Sequence, residues 1–285
     1  MEKYLAILAT AIAFSACSSS EEKLASQLYE EAELAFQCEQ FTHARTLLDS
    51  IENNCKRAIK WRKMGHALNY KVQLAQQEDS LATADTMLLA ITPMINELVE
   101  NNHFVYEKGE NDELGRFYVK GTDTQSNIGR SYVHASVNDY GVVSLMSEYR
   151  GSGYINHTQV RFTGSDKSEA VSAIVPLELE GANYHFKNQG VCHETVTYLN
   201  DPVGAYIDMH AGDNKLKAAL LYKDGNKSYP VELTERDRNA IAFTYQLGHM
   251  LAAQLRYTQQ SKVAAGKIQF LKAKIGTNTN EATDK

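Results

Sequence analysis

The feature that most constrains this chain is a change of hydrophobic period near His103. Before it Gly and Pro are almost absent and apolar residues recur at helical spacing; after it apolar and polar residues alternate, broken by regular turn signals. A chain written in two periods cannot settle as all-α or all-β. It predicts an α+β fold, with N-terminal antiparallel helical hairpins or a bundle, then an antiparallel β-sandwich-like domain, then a long C-terminal helix.

In the first part Leu24, Leu28, Ala32, Ala35 and Phe36 form one apolar stripe, and Phe41, Ala44, Leu47, Leu48 and Ile51 form a second beyond a break at Glu39-Gln40. Two antiparallel helices follow. The pair resembles a tetratricopeptide hairpin at Ala32, Phe41 and Ala44, but without a second copy it is expected only to share that shape. A third helix, from near Cys55, carries Ile59, Met64, Leu68 and Val72, with Trp61 packed against the hairpin. A fourth carries Leu81, Ala84, Leu88, Ile91, Ile95 and Leu98 at coiled-coil spacing, with a kink or restart at Pro93.

Strands are expected at 115–120, 131–138, 142–149, 158–162, 170–175, 184–188, 191–199, 203–210, 215–223 and 228–233. Asp139-Tyr140-Gly141, Gln189-Gly190 and Asp224-Gly225 supply turns. Thr234-Glu235-Arg236-Asp237 has the form of a capping box and opens a helix through Ile241, Tyr245, Gly248, Leu251 and Leu255 to about Ile275. That helix has the length to return onto the N-terminal helices. The expected segments are 1–16 signal, 17–102 helical, 103–234 β, 235–275 helix and 276–285 disordered tail.

At the N-terminus Lys3 precedes an unbroken run of small and apolar residues from Leu5 to Phe14, followed by Ser15-Ala16-Cys17. This is the plan of a secretory signal peptide. The run is shorter than the about 20 apolar residues that cross a bilayer and stops at Cys17-Ser18-Ser19-Ser20-Glu21-Glu22. Phe14-Ser15-Ala16-Cys17 resembles the bacterial lipobox, with Phe14 where Leu is usual, and the serine-rich acidic stretch after it is similar to the export signal of Bacteroidetes surface lipoproteins. The resemblance implies a lipid on Cys17, and Ser18 in place of Asp fits the outer membrane. The whole order of parts, lipidated cysteine, helical hairpins and β domain, is similar to Bacteroidetes-type surface lipoproteins. An ordinary cleaved signal with a chance cysteine is the alternative.

The formal net charge of -6 and the lack of a long Lys/Arg run argue against nucleic acid and against a polybasic hold on lipid. Lipidation of Cys17 would leave Cys38, Cys55 and Cys192, an odd number, so no disulfide framework is expected. A helix between Cys38 and Cys55 keeps that pair apart, so both are expected as free thiols packed like small hydrophobes.

No motif fixes a chemistry: there is no nucleophile elbow, phosphate loop, dinucleotide-binding glycine pattern or H-E-x-x-H. One constellation is worth following. If Gln189-Gly190 is a two-residue turn and the chain returns through 200–202, His193 lies opposite His210, with Asp208 one step diagonal, on a face shared with Thr195 and Thr197. Such a set could bind zinc or another divalent metal; it is also what a wet sheet face looks like. Cys192 and His193 point to opposite faces and make no nucleophilic dyad, and Glu194 falls opposite His185 as a cross-strand polar pair. Asp49-Ser50-Ile51, Asp79-Ser80-Leu81 and Asp85-Thr86-Met87 match a short O-glycosylation pattern, though ordinary helix residues explain them as well.

Two functions remain. The first is a membrane-anchored, non-enzymatic binding or assembly protein of the cell envelope, without a cofactor, whose β domain faces a glycan, a peptide or an envelope protein. The second is a metal-dependent hydrolase or metal-binding protein built on His193, Asp208 and His210.

Overall fold

The computed structural model describes residues 20–276 with their side chains; the expected signal segment, Cys17 and the tail from 277 lie outside the described residues. The fold is α+β, with five helices and antiparallel sheets. In chain order the elements are α1 (Glu2–Gln37), α2 (Phe41–Asn54), α3 (Ile59–Asn101), β1 (Phe104–Glu107), β2 (Arg116–Val119), β3 (Tyr132–Asn138), β4 (Val143–Gly151), β5 (His157–Thr163), β6 (Glu169–Val171), β7 (Asn183–Asn188), β8 (Val191–Leu199), α4 (Val203–Met209), β9 (Lys217–Tyr222), β10 (Ser228–Val231) and α5 (Glu235–Thr283). They form two compact units, one of residues 1–87 with 257–285, the other of 88–256.

In the helical unit α1 and α2 make the expected hairpin. Glu39 takes φ +59° at the turn, and Gln40 N–H closes back on Ala35 O at 2.9 Å. The contact is lined by small residues: Ala25, Ala32, Ala35 and Ala44 are buried beside Leu47, Leu48 and Ile51, so the two backbones approach closely. Trp61 packs on Tyr29 with ring centroids 5.6 Å apart. The early part of α3 and the late part of α5 lie side by side, held by Gln260 Nε2 to Ser80 O (3.1 Å), Ser261 Oγ to Asp85 Oδ1 (2.9 Å) and Lys272 to Glu78 (3.0 Å). The hydroxyls of Ser50 and Thr86 donate to carbonyls of their own helices.

Two expectations need correction here. The third and fourth helices are one, because α3 runs through Pro93 without a break. The ring removes one amide donor, but Ile91, Ile95, Leu98 and Val99 around it pack into the β core and hold the helix together. Cys38 and Cys55 are free as expected, and Cys192 is free as well, but Cys38 is exposed, since it follows the last turn of α1 instead of facing the partner helix.

In the β unit the strands form a six-stranded sheet, β1-β2-β3-β4-β8-β7, and a four-stranded sheet, β10-β9-β5-β6, antiparallel throughout. Strict alternation puts Val133, Ala135, Val137, Val143, Leu145, Val196 and Tyr198 on the inner face of the large sheet, against Val160, Phe162, Ala218 and Leu220 of the small one. Gln189 and Gly190, at φ +48° and +86°, make the two-residue turn between β7 and β8. Gly141 turns β3 into β4 at φ +80°, and a Cβ there would lie 2.4 Å from Gly248 O, so α5 crosses this hairpin glycine on glycine. The start of α5 is a reciprocal cap: Asp237 N–H donates to Thr234 Oγ1 (3.1 Å) and Thr234 N–H to Asp237 Oδ2 (3.0 Å).

The segment 203–210, expected as a strand, is the short helix α4. Asn200 turns at φ +44°, the Asp201 carboxylate accepts Val203 N–H (2.9 Å) and Ala173 N–H (2.8 Å), and Pro202 presets the first helical turn. Val203, Tyr206 and Ile207 then fall on one buried side at helical spacing, and Gly204 lets Tyr245 of α5 approach. Strand β1 was not expected; it has only four residues, with none fully buried.

Candidate functional site

The change at α4 decides the fate of the expected metal face. His193 lies on β8, on the face turned away from the core, opposite Arg150 on one side and Phe186 on the other. Asp208 instead pairs with His249 of α5 at 2.7 Å. His210 follows α4, stacks on Tyr206 at 4.0 Å and donates from Nδ1 to Tyr206 O. The three side chains therefore belong to different neighbourhoods. Among the described residues no three His, Cys, Asp or Glu side chains gather into a group that could hold a metal.

A different constellation forms between the sheets. Glu194 sits opposite His185 in the expected register, but its side chain turns inward. Its carboxylate accepts the backbone N–H groups of Ile155 (2.6 Å), Asn156 (2.9 Å) and His157 (2.9 Å), and the His157 imidazole at Nδ1 (2.8 Å). His157 Nε2 lies 2.9 Å from Ser147 Oγ, which lies 3.2 Å from Tyr198 Oη. Burial pushes the Glu194 carboxyl up, but the bonds from the His157 ring and from the amides of His157 and Asn156 together outweigh it and hold the carboxyl below its ordinary value.

Serine, imidazole and carboxylate in this order are the parts of an activated nucleophile. Here Ser147 and His157 are fully buried and Glu194 is 2% exposed, so no substrate reaches the hydroxyl in this structure. The chain of bonds ties β4, β8 and β5 together and pins the irregular entry to β5. Sequence reasoning missed it, although one signal was present: Ser147 and Glu194 fall on the apolar parity of their strands.

The outer face of the large sheet is polar and ordered. Thr195 Oγ1 donates to Glu148 at 2.7 Å, and burial raises the Glu148 carboxyl. His193 stacks flat on Phe186, 4.5 Å between centroids and 5° between planes, and Tyr184 continues the row at 5.6 Å. Tyr184 and Phe186 are exposed on the edge strand β7. The His193 imidazole is pushed down by its partial burial and by Arg150.

At the other end of this face the loop from Thr122 to Ser131 folds beside β2 and β3. Arg130 fixes it, donating to Asn127 Oδ1 (2.6 Å) and to the buried Asp237 carboxylate (2.8 Å) at the cap of α5. Between loop and sheet lies a cavity of about 450 Å³ lined by Arg116, Tyr118, Asp123, Ser126, His134 and Ser136 among others. His134 is 8% exposed, and its buried Nε2 has no hydrogen-bonding partner. Burial, with Arg116 adding to it, pushes this imidazole down to about 4, so the ring is neutral at physiological pH.

Comparison of the chain with protein-family models, curated proteins and solved structures finds no match in any of the three. Among the described residues no helix is long and apolar enough to cross a membrane.

Proposed function

We propose that the chain is an exported lipoprotein, anchored through a lipid on Cys17 at the outer membrane or cell surface, and that its β unit is a non-enzymatic binding or assembly module of the cell envelope. The observation that carries the binding role is the outer face of the large sheet. It combines a row of oriented polar groups, Glu148, Arg150, His193 and Thr195, with the exposed aromatic edge of Tyr184 and Phe186. Exposed aromatic surface beside fixed hydrogen-bonding groups is the composition of a recognition surface. Side chains already held by cross-strand contacts lose little freedom when a partner arrives. The lipid anchor rests on the lipobox-like residues 14–17 alone.

Two experiments test this. Full-length chain expressed in a bacterial host with an alkyne fatty acid is expected to take up label, and Cys17→Ala to lose it; equal labelling of both would end the lipoprotein reading. Wild-type protein and an Arg150→Glu/Phe186→Ala variant are then compared on a glycan array and against solubilised envelope proteins. Retention of a glycan or protein by the wild type and its loss in the variant support the assigned face; equal retention by both, or none by either, refutes it.

A further inference from the structure

Four strands form the edges of the two sheets, and they are not alike. β6 has three residues, β1 and β10 have four each, and β10 carries Pro230. Short length and proline are common means of keeping a sheet edge from recruiting another chain. β7 has six residues and no proline, and five of the six are exposed. Its hairpin with β8 fixes which backbone groups are free. The two-residue turn makes Asn188 and Val191 a hydrogen-bonded pair, so residues 184, 186 and 188 turn their N–H and C=O toward β8. Thr197 N–H, donating to Ala182 O at 2.8 Å, continues that parity, while Asn183 N–H turns the other way, to Leu179 O at 3.0 Å. The N–H and C=O of His185 and Lys187 therefore point out of the sheet, and among the described residues nothing bonds them. An extended strand laid along this edge gains four backbone hydrogen bonds.

The side chains narrow what that strand carries. His185 and Lys187 share one face of β7, and Tyr184 and Phe186 share the other. The His185 ring meets Tyr154 edge-on at 5.8 Å, and among the described residues neither it nor the Lys187 ammonium has a carboxylate partner. An antiparallel strand with acidic residues opposite 185 and 187, and an apolar residue between them beside Phe186, is complementary on both faces. A second copy of this chain is not. The antiparallel pairing that uses every free group sets His185 of one copy against Lys187 of the other, two basic side chains together.

We infer that β7 takes up an extended peptide by strand addition, and that this peptide alternates acidic and apolar residues. The inference rests on the outer face, with its edge at Tyr184 and Phe186, being the binding surface, and it names the partner and how it attaches.

The test uses full-length protein and capped, fluorescein-labelled heptapeptides that alternate valine with glutamate, with lysine or with glutamine. Fluorescence anisotropy reads affinity, and amide hydrogen exchange followed by NMR reads the strand. The glutamate peptide is expected to saturate, to bind about tenfold or more tightly than the lysine peptide, and to slow exchange at the amides of His185 and Lys187. Lys187→Pro removes one outward N–H while leaving the pairing with β8 intact, and should weaken this binding about tenfold or more. Lys187→Glu, a charge reversal at an exposed position, should turn the preference to the lysine peptide and serves if proline unfolds the strand. No saturation by any peptide, saturation without slowed exchange at 185 and 187, or affinities that both variants leave unchanged overturns the inference. Equal affinity for all three peptides removes the acidic partner and also overturns it. Self-association that rises with concentration and is lost in Lys187→Pro makes a second copy the occupant, with the same consequence. If the inference falls while a glycan or envelope protein is still retained by the wild type and lost in the Arg150→Glu/Phe186→Ala variant, the outer face stands; with no such retention both fall.

Discussion

Replacing Glu194 with alanine removes the acceptor of four hydrogen bonds at once, from the amides of Ile155, Asn156 and His157 and from the His157 ring. A buried donor left without its acceptor costs about 1–3 kcal/mol, and four donors lose theirs here. The expected destabilisation of the β unit is therefore about 4–5 kcal/mol, a large share of the about 5–15 kcal/mol by which domains are stable. Glu194→Gln keeps one acceptor oxygen but turns an NH2 toward the amides, and should cost roughly half as much. The folded carboxyl is held below its ordinary value, so its contribution is complete above the unfolded pKa of about 4.3 and disappears as pH falls through the lower folded value. The gap between wild type and Glu194→Ala should thus be flat from pH 7 to about 5 and narrow as pH falls below about 4. Urea melts read by near-ultraviolet dichroism of the tyrosines, with hydrogen exchange over β4, β5 and β8, measure the loss. The fluorescence of Trp61, the chain's one tryptophan, reports the helical unit separately. A loss under about 1 kcal/mol, or a gap that persists unchanged to pH 3, would refute the view that this network holds the sheets together.

Two further outcomes follow from the same geometry. His134 titrates near 4 when folded and near 6.5 when unfolded, so the unfolded chain takes up the proton first and stability falls as pH drops from about 6.5 to about 4. The fall amounts to about 3 kcal/mol, and His134→Leu should flatten that part of a stability-against-pH profile; an unchanged slope would contradict the burial assigned to the ring. Gly141→Ala places a Cβ 2.4 Å from Gly248 O at a φ of +80°, which should cost about 2 kcal/mol or more by denaturant titration, whereas Gly153→Ala, with nothing near its Cβ, should cost well under 1 kcal/mol.

Most of the fold was legible because each local signal agreed with its neighbour. The alternation in 191–199, the Gln189-Gly190 turn and the register that sets His185 opposite Glu194 all hold in the structure, although the Glu194 carboxylate pairs with His157 and not with His185. The error at 203–210 came from a stretch that satisfies both periods. Ala205, Ile207 and Met209 alternate as a strand would, while Val203, Tyr206 and Ile207 line a helix; Asp201-Pro202 was the local signal that decides between them. The expected site failed with that segment, since Asp208 and His210 left the sheet. The network that did form was out of reach for another reason. Its partners come from β4, β5 and β8, and β5 lies in the other sheet, a pairing that no local pattern encodes.

The same strands carry the buried network and the proposed binding surface on opposite faces, which ties the order of one to the other. On β8 Glu194 turns inward between His193 and Thr195, which turn outward; on β4 Ser147 turns inward beside Glu148. Tying Glu194 and Ser147 to His157 of the other sheet fixes the backbone from which Glu148, His193 and Thr195 project. A flat stack of His193 on Phe186 and a 2.7 Å bond between Thr195 and Glu148 are possible only if β7, β8 and β4 keep one register. Rigid strands hold such groups more accurately than loops do. Loosening the interior by Glu194→Gln should therefore weaken binding at the outer face, although Glu194 touches no part of it.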